Sequence, residues 1–508
     1  MIKHALIMMC GTLLSRITGL VREVVVAAFF GASRSMDAFN VAYTLANLAR
    51  QLLAEGALSA AFVPVFSQVL ERDNIKAALR LARSAMSVLL IAAFIVVTLG
   101  IFGSDILTRI MAPGFDAETA SIASRLTRFM FPFLIFISLE ALTMGELNSL
   151  GSFFVPALSP AFSNITFIIT APLFTSLYGV YGLAFSVICG GAAHFLTQWL
   201  WSFKLNAVLY PALKPDLKNK DLRRMMKLFL PYAAGLSLNQ INPVISRMLG
   251  SFLQAGSISV LNYSNRILQL PLGLFVIAIS QAVLPQLSRA KSPEDFIDIL
   301  RQALRFALFI ILPASLGVIL ISSPFVHLIF VRGEFNKWAW DATSSCLALG
   351  MLGLPGMACS TIVMRALYAL EMPKAAFNTT LFSVSATALF SLMLMPLGYN
   401  GLALAPGIAF TLSGLYGLYK VKAKLKLNLN IIDLSYVIKS VIALALMALI
   451  ILIINFIFPY DPGAKLLIRA LWILGVILIC VIVYIFTALY LKFEELGMIK
   501  RAFIKKRD

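Results

Sequence analysis

The chain has 508 residues, of which 60% are apolar and 13% charged, whereas soluble domains are about 25% charged. This composition excludes a soluble protein and predicts an all-α polytopic membrane protein, because the apolar blocks are too long for the short alternating strands of a barrel. The net charge of +19 does not require a nucleic-acid partner, because cytoplasmic loops of membrane proteins carry the same excess.

Apolar blocks separated by polar, proline or glycine breaks predict fourteen transmembrane spans. They begin near residues 5, 37, 84, 122, 155, 181, 225, 257, 301, 340, 374, 400, 434 and 466. The first span contains Arg16 and is followed by no small-residue cleavage pattern, so we expect a retained helix and not a secretory signal. Most lysines and arginines fall on the side of the two termini, which predicts that both termini are cytoplasmic.

An internal repeat of about 220 residues relates the two halves of the chain. The segment GVYGLA at 179–184 reappears as GYNGLA at 398–403, and PVFS from Pro64 reappears as PQLS from Pro285. Six spans per repeat give both halves the same orientation in the membrane. We therefore predict an N-terminal lobe at 1–215, a C-terminal lobe at 216–428, and two further helices with a basic tail at 429–508.

Cysteines and histidines give no sign of a metal site or of a catalytic centre. The five cysteines lie in apolar segments without metal-like spacing, and the three histidines, His4, His194 and His327, are scattered. No nucleophile lies in a pattern with a base. The sequence thus predicts a protein that is not an enzyme and needs no metal or cofactor.

Arginines inside predicted spans are the most informative residues. A charge at the centre of a spanning helix costs about 2.5 to 3.5 kcal/mol on insertion scales, yet four arginines lie in the central and outer membrane: Arg16, Arg22, Arg50 and Arg266. Two interpretations are open. The first three could pair with Glu23, Asp37 and Glu55. Alternatively the arginines await an anion such as a phosphate, whose oxygens the guanidinium fork binds in a bidentate manner.

Arg266 favours the second interpretation, because predicted spans 7, 8, 11 and 12 contain no acid that could pair with it. Polar neighbours support either interpretation. Ser15 could let helices approach closely, and Asn47 and Asn262 could form core hydrogen bonds or contact sugar or peptide groups.

Several segments resemble the MurJ (MviN) lipid II flippases of bacterial peptidoglycan synthesis, within the superfamily that includes multidrug exporters and polysaccharide-lipid flippases. The resemblance covers essentially the whole chain. The segments are SRITGLVRE (15–23), FFGAS (29–33), MDAFNVAY (36–43), LANLARQLLAEGALSAAFVPVF (45–66), APGF (112–115), YSNRILQLPLG (263–273) and VLPQLS (283–288).

The resemblance implies a central cavity, lined by spans 1, 2, 7 and 8, for the diphosphate and the sugar-peptide head group, and a groove beside spans 13 and 14 for the polyprenyl tail. It implies that the four arginines bind substrate and that Asp37 supports them. Two positions depart from the family: Glu23 stands where Asp is common, and Gln269 stands where relatives can have Glu. Because spans 7 and 11 contain no acid, a sodium site in the second lobe is not expected.

We therefore expect a protein of the bacterial inner membrane that acts as a monomer and moves lipid II from the inner to the outer leaflet by alternating access. Arg16, Arg22, Arg50 and Arg266 would bind the diphosphate, and Ser15, Glu23, Asp37, Asn47, Glu55 and Asn262 would support them. The partners are lipid II and membrane lipids, not nucleic acid. The alternatives are a flippase for another polyprenyl-linked glycan, a drug or cation exporter of the same superfamily, and a scaffold that transports nothing.

Overall fold

The computed structural model describes residues 2–53, 57–237, 240–427, 431 and 433–497, and these residues form helices joined by short loops, with no strand among them. The helices belong to two compact units. One comprises Met1–Ser259 and Arg332–Phe335, and the other comprises Val260–Val331 and Asn336–Asp508. The expected all-α class is confirmed.

Among the residues that the structure describes, eleven helices lie wholly in the first unit. They are α1 (Ile2–Phe30), α2 (Arg34–Leu53), α3 (Ala57–Arg72), α4 (Ile75–Phe102), α5 (Ser104–Met111), α6 (Ala117–Met130), α7 (Phe133–Ser149), α8 (Phe154–Tyr178), α9 (Val180–Lys204), α10 (Lys220–Ser237) and α11 (Ile241–Gly250). Part of the apolar core of this unit packs around Val41, Val97, Phe131 and Leu134, because α2, α4, α6 and α7 each turn an apolar face toward the others.

The remaining helices are α12 (Ser257–Pro271), whose first turn belongs to the first unit, α13 (Ile277–Ser288), α14 (Pro293–Leu320), α15 (Ser322–Phe330), α16 (Lys337–Leu352), α17 (Leu354–Ala369), α18 (Pro373–Met393), α19 (Tyr399–Leu425), α20 (Leu434–Ile457) and α21 (Leu466–Tyr490). A π-helical turn over Leu272–Val276 joins α12 to α13. Helices α20 and α21 pack on α14 through residues that include Tyr436, Met447 and Tyr484.

The repeated glycine segments have the same local structure in both units. Gly179 separates α8 from α9 with φ +56° and ψ −137°, and Gly398 precedes α19 with φ +62° and ψ −140°. Only glycine adopts this backbone conformation readily, because it has no Cβ. The glycines therefore end one helix and start the next at matching points of the repeat.

Helix starts follow the same offset. Helices α4, α6, α8 and α9 of the first unit begin 218 to 220 residues before α14, α16, α18 and α19 of the second. In two matched pairs, α4 with α14 and α6 with α16, both helix starts also have a side-chain cap. Asp116 accepts a hydrogen bond from the Thr119 amide at the start of α6, and Asn336 accepts one from the Ala339 amide at the start of α16. Asn and Asp are preferred at this position because their oxygens satisfy a free helical N–H.

Nine helices of the described residues are long and apolar enough to cross a membrane, or up to eleven if each of two bent helix pairs forms one span. The bent pairs are α6 with α7 (41°) and α16 with α17 (44°). Helices α20 and α21 are the least buried of these candidates, as expected for helices that face lipid. The chain is thus a multi-pass membrane protein; the count of fourteen spans stays a prediction.

Candidate functional site: membrane-embedded arginines

Arg16 and Ser15 are half-buried on α1. Arg16 makes no hydrogen bond and no ion pair with any residue that the structure describes. Its charge is therefore not neutralised by any residue of the first unit that the structure describes. A half-buried guanidinium in an apolar helix is unfavourable unless an anion or water compensates it, so Arg16 is the best candidate in this unit for contact with an anionic ligand.

Arg22, six residues further along α1, in contrast contacts several side chains. Its Nη2 donates to Glu23 Oε1 at 2.8 Å, and its Nη1 lies 3.4 Å from Asn164 Oδ1 on α8. The guanidinium carbon lies 5.5 Å from the Phe167 ring centre and 5.9 Å from that of Tyr43. Glu23 is buried, so it serves as the pairing partner of Arg22.

Asn164 was not anticipated from the sequence, and it joins α8 to the arginine-bearing helix. Its Nδ2 donates to the Ser15 carbonyl at 3.1 Å and to Thr18 Oγ1 at 3.3 Å. The only signal in the sequence was an amide inside an apolar span, which gives no partner. Because the same amide contacts Arg22, Asn164 holds α1 in register with α8.

Arg50, in the last turn of α2, donates from Nε to Asn47 Oδ1 at 2.8 Å. Both side chains are half-buried. This bond assigns Asn47 a local role, that of orienting the guanidinium. Glu55, the third acid predicted to support the arginines, lies outside the described residues.

Asp37 accepts hydrogen bonds and forms no ion pair within the described part of the chain. Its two oxygens accept from the Gly256 amide (2.6 Å), the Ser259 amide (2.7 Å) and the Ser259 hydroxyl (2.6 Å). These donors are free N–H groups at the start of α12, where a negative charge is stabilising. Asp37 therefore caps α12 from another helix and does not neutralise Arg22 or Arg50.

Arg266 and Asn262 lie on α12 in the second unit, and both are half-buried. The predicted site that unites Arg16 with Arg266, and the predicted cavity around it, stay predictions. Ser15, Arg16, Arg22 and Glu23 lie on α1, and Asn47 and Arg50 lie on α2 of the same unit.

Sequence reasoning also missed two buried acids of the first unit and the contact that one of them makes with His194. Glu140 and Glu146 lie on α7 and are buried, and Glu140 Oε1 lies 3.4 Å from His194 Nε2 on α9. The available signal was two acids within the apolar block that begins near residue 122. Among the residues that the structure describes, no group of three or more metal-ligating side chains occurs.

The apolar helices and their embedded arginines are those of a multi-pass membrane protein. Its fold is that of a class of membrane transporters. An inward-facing multidrug resistance MATE family transporter of the MOP superfamily has the same fold, with a TM-score of 0.68, 16% identity, and coverage of 83% of this chain and 98% of that one. A structure of lipid II flippase MurJ in an inward closed conformation matches more closely, with a TM-score of 0.79 and 27% identity over 96% of this chain and 99% of that one.

Residues 26–471 match the family model described as lipid II flippase MurJ. A probable lipid II flippase MurJ of Rhizobium meliloti is 31% identical over 97% of this chain and 94% of its own length. That of Vibrio cholerae is 33% identical over 80% of each chain. The chain belongs to the MurJ lipid II flippase family of bacterial multi-pass membrane proteins, which confirms the resemblance.

Proposed function

We propose that this protein moves lipid II, an undecaprenyl-diphosphate-linked disaccharide-pentapeptide, from the inner to the outer leaflet of the cytoplasmic membrane. Family membership over residues 26–471 supports this proposal, and so do inward-facing and outward-facing transporters of the same fold, which fit alternating access. The protein acts as a carrier and not as an enzyme, and it needs no cofactor.

The state of Arg16 carries the proposal. It has no partner among the described residues, whereas Arg22 and Arg50 are held by neighbouring side chains. A diphosphate supplies several oxygens that a guanidinium binds in pairs. In this proposal Arg16 binds the diphosphate together with Arg22, Arg50 and Arg266, while Ser15, Glu23, Asn47, Glu55 and Asn262 support them.

Asp37 has a specific supporting part in the proposal. Because it caps the first turn of α12, it fixes the start of the helix that carries Arg266. In this proposal the carboxylate supports the site by holding that turn and makes no contact with the substrate.

The proposed architecture has fourteen spans, with lobes at 1–215 and 216–428 and two further helices at 429–508. Both termini are cytoplasmic, the polyprenyl tail lies along the last two spans, and the protein works as a monomer without nucleic acid. An inward-negative potential favours outward movement of an anion by about 2.3 kcal/mol per charge per 100 mV, and it assists transport if the arginines neutralise the diphosphate only in part.

Alanine at Arg16 or at Arg266 tests the proposal in proteoliposomes that contain labelled lipid II. Loss of a hydrogen bond to a charged group costs about 1.5 to 3 kcal/mol, so we expect translocation to slow by about tenfold or more. Arg128→Ala is the matched control, since it removes an exposed arginine that pairs with Asp105 at 2.6 Å.

A folded and membrane-inserted Arg16→Ala variant that moves lipid II at the normal rate would overturn the proposal. Normal transport of a different polyprenyl-linked glycan, with no transport of lipid II, would keep the role of the arginines and change the substrate.

A further inference from the structure

A buried polar cluster joins α7, α8 and α9 away from the arginines. Gln198 Nε2 donates to Glu140 Oε1 at 2.8 Å and to Ser159 Oγ at 2.7 Å, and His194 Nε2 lies 3.4 Å from Glu140 Oε1. Glu140 is 4% exposed and Gln198 is fully buried. Glu140 lies nine residues before the end of α7, about 14 Å along the helix, so the cluster is deep in the predicted membrane region.

The surroundings of Glu140 leave His194 as its counter-charge. The amide donor from Gln198 stabilises an ionised carboxylate, and a buried carboxylate needs a cation close by. Helix α8 contains no charged residue, and α9 contains only His194 and, at its end, Lys204. Among the residues that the structure describes, His194 is the one ion-pair partner of Glu140.

Charges on the other helices packed against α7 are engaged elsewhere or lie at helix ends. Arg83 of α4 stacks on the Tyr210 ring at 3.8 Å, and Arg50 of α2 binds Asn47. Glu71 and Arg72 end α3, Lys76 and Arg80 lie in the first turns of α4, and Arg34 and Asp37 lie in the first turn of α2. The remaining acid of α7, Glu146, is buried and interacts electrostatically with Arg83.

The repeat shows that the fold does not need charge at this place. The ends of α7 and α17 are 220 residues apart and the starts of α9 and α19 are 219 residues apart, so Ser360 and Ser413 take the positions of Glu140 and His194. In the second unit these two hydroxyl groups lie 3.3 Å apart and form a buried hydrogen bond. A neutral serine pair is therefore enough to join α17 to α19. Helix packing alone does not require the titratable side chains of Glu140 and His194 in the first unit.

Helix α8 links the cluster to the arginine-bearing helix. Ser159 contacts Gln198 at one end of this link, and five residues later Asn164 contacts Ser15 and Arg22 of α1. If the proton leaves His194, the Glu140 carboxylate loses its counter-charge, and this would shift the Gln198 amide that connects the carboxylate to Ser159 of α8. The same helix would transmit such a shift to α1.

We propose that Glu140 and His194 form a proton-binding site, and that the site releases one proton from His194 Nε2 to water and takes one up again in each transport cycle. The first part stands on the geometry alone; the coupling to transport rests on the proposed function. The step breaks and remakes one N–H bond and needs no other reactant. In the ion-paired state of this proposed site, the imidazole would carry both protons.

Nuclear magnetic resonance of the full chain labelled with ¹⁵N-histidine tests the first part, because the chain has only three histidines. At about pH 7, where a free imidazole is mostly neutral, we expect the His194 ring, assigned with His194→Gln, to be doubly protonated. Glu140→Gln should remove the doubly protonated signal, and Glu140→Asp should weaken it.

The matched control is Glu146→Gln, which changes an equally buried acid of the same helix and should leave the His194 signal unchanged. The proposal of a proton-binding site would be wrong if the His194 ring is singly protonated in the wild type. It would also be wrong if the protonation of the ring is the same with and without the Glu140 carboxylate.

Translocation of lipid II measured across about pH 5 to 8, the range in which histidine changes charge, tests the coupling. We expect the wild-type rate to change with pH, His194→Gln to flatten the profile, and Ser413→Ala to keep the wild-type profile. An unchanged profile in His194→Gln would refute the coupling. If the wild type transports no lipid II at any pH, the proposed function is refuted. The magnetic resonance experiment would then still test the proton-binding site by itself.

Discussion

Matching places in the two units have the same backbone and different chemistry. Glu140 and His194 join α7 to α9 in the first unit, and Ser360 and Ser413 join α17 to α19 in the second. The glycine turns at 179 and 398 and the capped starts of α6 and α16 are preserved alongside this difference. The repeat thus conserves what the helices need to form and pack, and the first unit alone has a buried titratable pair at this junction.

The largest expected effect is on stability at that junction. His194→Ala leaves the buried Glu140 carboxylate without a cation, which costs about 3 to 5 kcal/mol. Ser413→Ala removes one neutral hydrogen bond at the matching place, at a cost of about 1 kcal/mol. Thermal unfolding of both variants in detergent measures the difference.

The double variant Glu140→Gln/His194→Gln is the control, since it removes both charges and should recover most of the lost stability. The comparison between the units fails if His194→Ala is no more destabilising than Ser413→Ala.

A smaller effect is expected at the start of α12, where Asp37 provides a charged cap. Asp37→Asn keeps the shape of the side chain and loses the charge that accepts three hydrogen bonds, so we expect a loss of roughly 1.5 kcal/mol. Hydrogen exchange at the Gly256 and Ser259 amides should accelerate more than at the start of α14. Equal exchange at the two helix starts would show that the carboxylate does not cap α12.

The smallest effect concerns the matched caps of α6 and α16. Hydrogen bonds from the Thr119 hydroxyl and amide, helped by the Arg34 charge, hold the pKa of Asp116 below its usual range. Ionised Asp116 therefore contributes stability above the unfolded-state pKa of about 3.9, and the contribution is lost as pH falls through the lower folded-state value.

Asp116→Ala should accordingly destabilise the protein at neutral pH and lose this effect in acid. Asn336→Ala should cost about 1 kcal/mol at every pH, because its cap does not titrate. Melting curves at several pH values compare the two variants, and a pH-independent effect of Asp116→Ala would contradict the capping account.

The sequence predicted the helical class and the embedded arginines because long apolar blocks and the cost of intramembrane charge are properties of residue type and order. It could not assign partners. Glu23 adjoins Arg22 in sequence, but neighbouring residues do not face each other on a helix by default, so only the structure shows their ion pair at 2.8 Å. Asp37 binds groups more than 200 residues away, which no local pattern reveals.

Glu140 and Glu146 are visible in the sequence as acids in an apolar block, but no local pattern indicates which residue of another helix either acid contacts. His194 was seen but had no neighbour in sequence. The helix bounds in the structure relate Glu140 to Ser360 and His194 to Ser413, and the closeness of the members of each pair is a property of helix packing.

The central claim is that Arg16 of α1, which has no partner among the described residues, binds the diphosphate. Binding of lipid II to Arg16→Ala tests this claim most directly. Equilibrium titration of the full-length protein in nanodiscs would compare wild type, Arg16→Ala and the surface control Arg128→Ala. The account predicts that Arg16→Ala binds lipid II about tenfold or more weakly while the control binds normally. Equal affinity of wild type and a folded Arg16→Ala variant would contradict it.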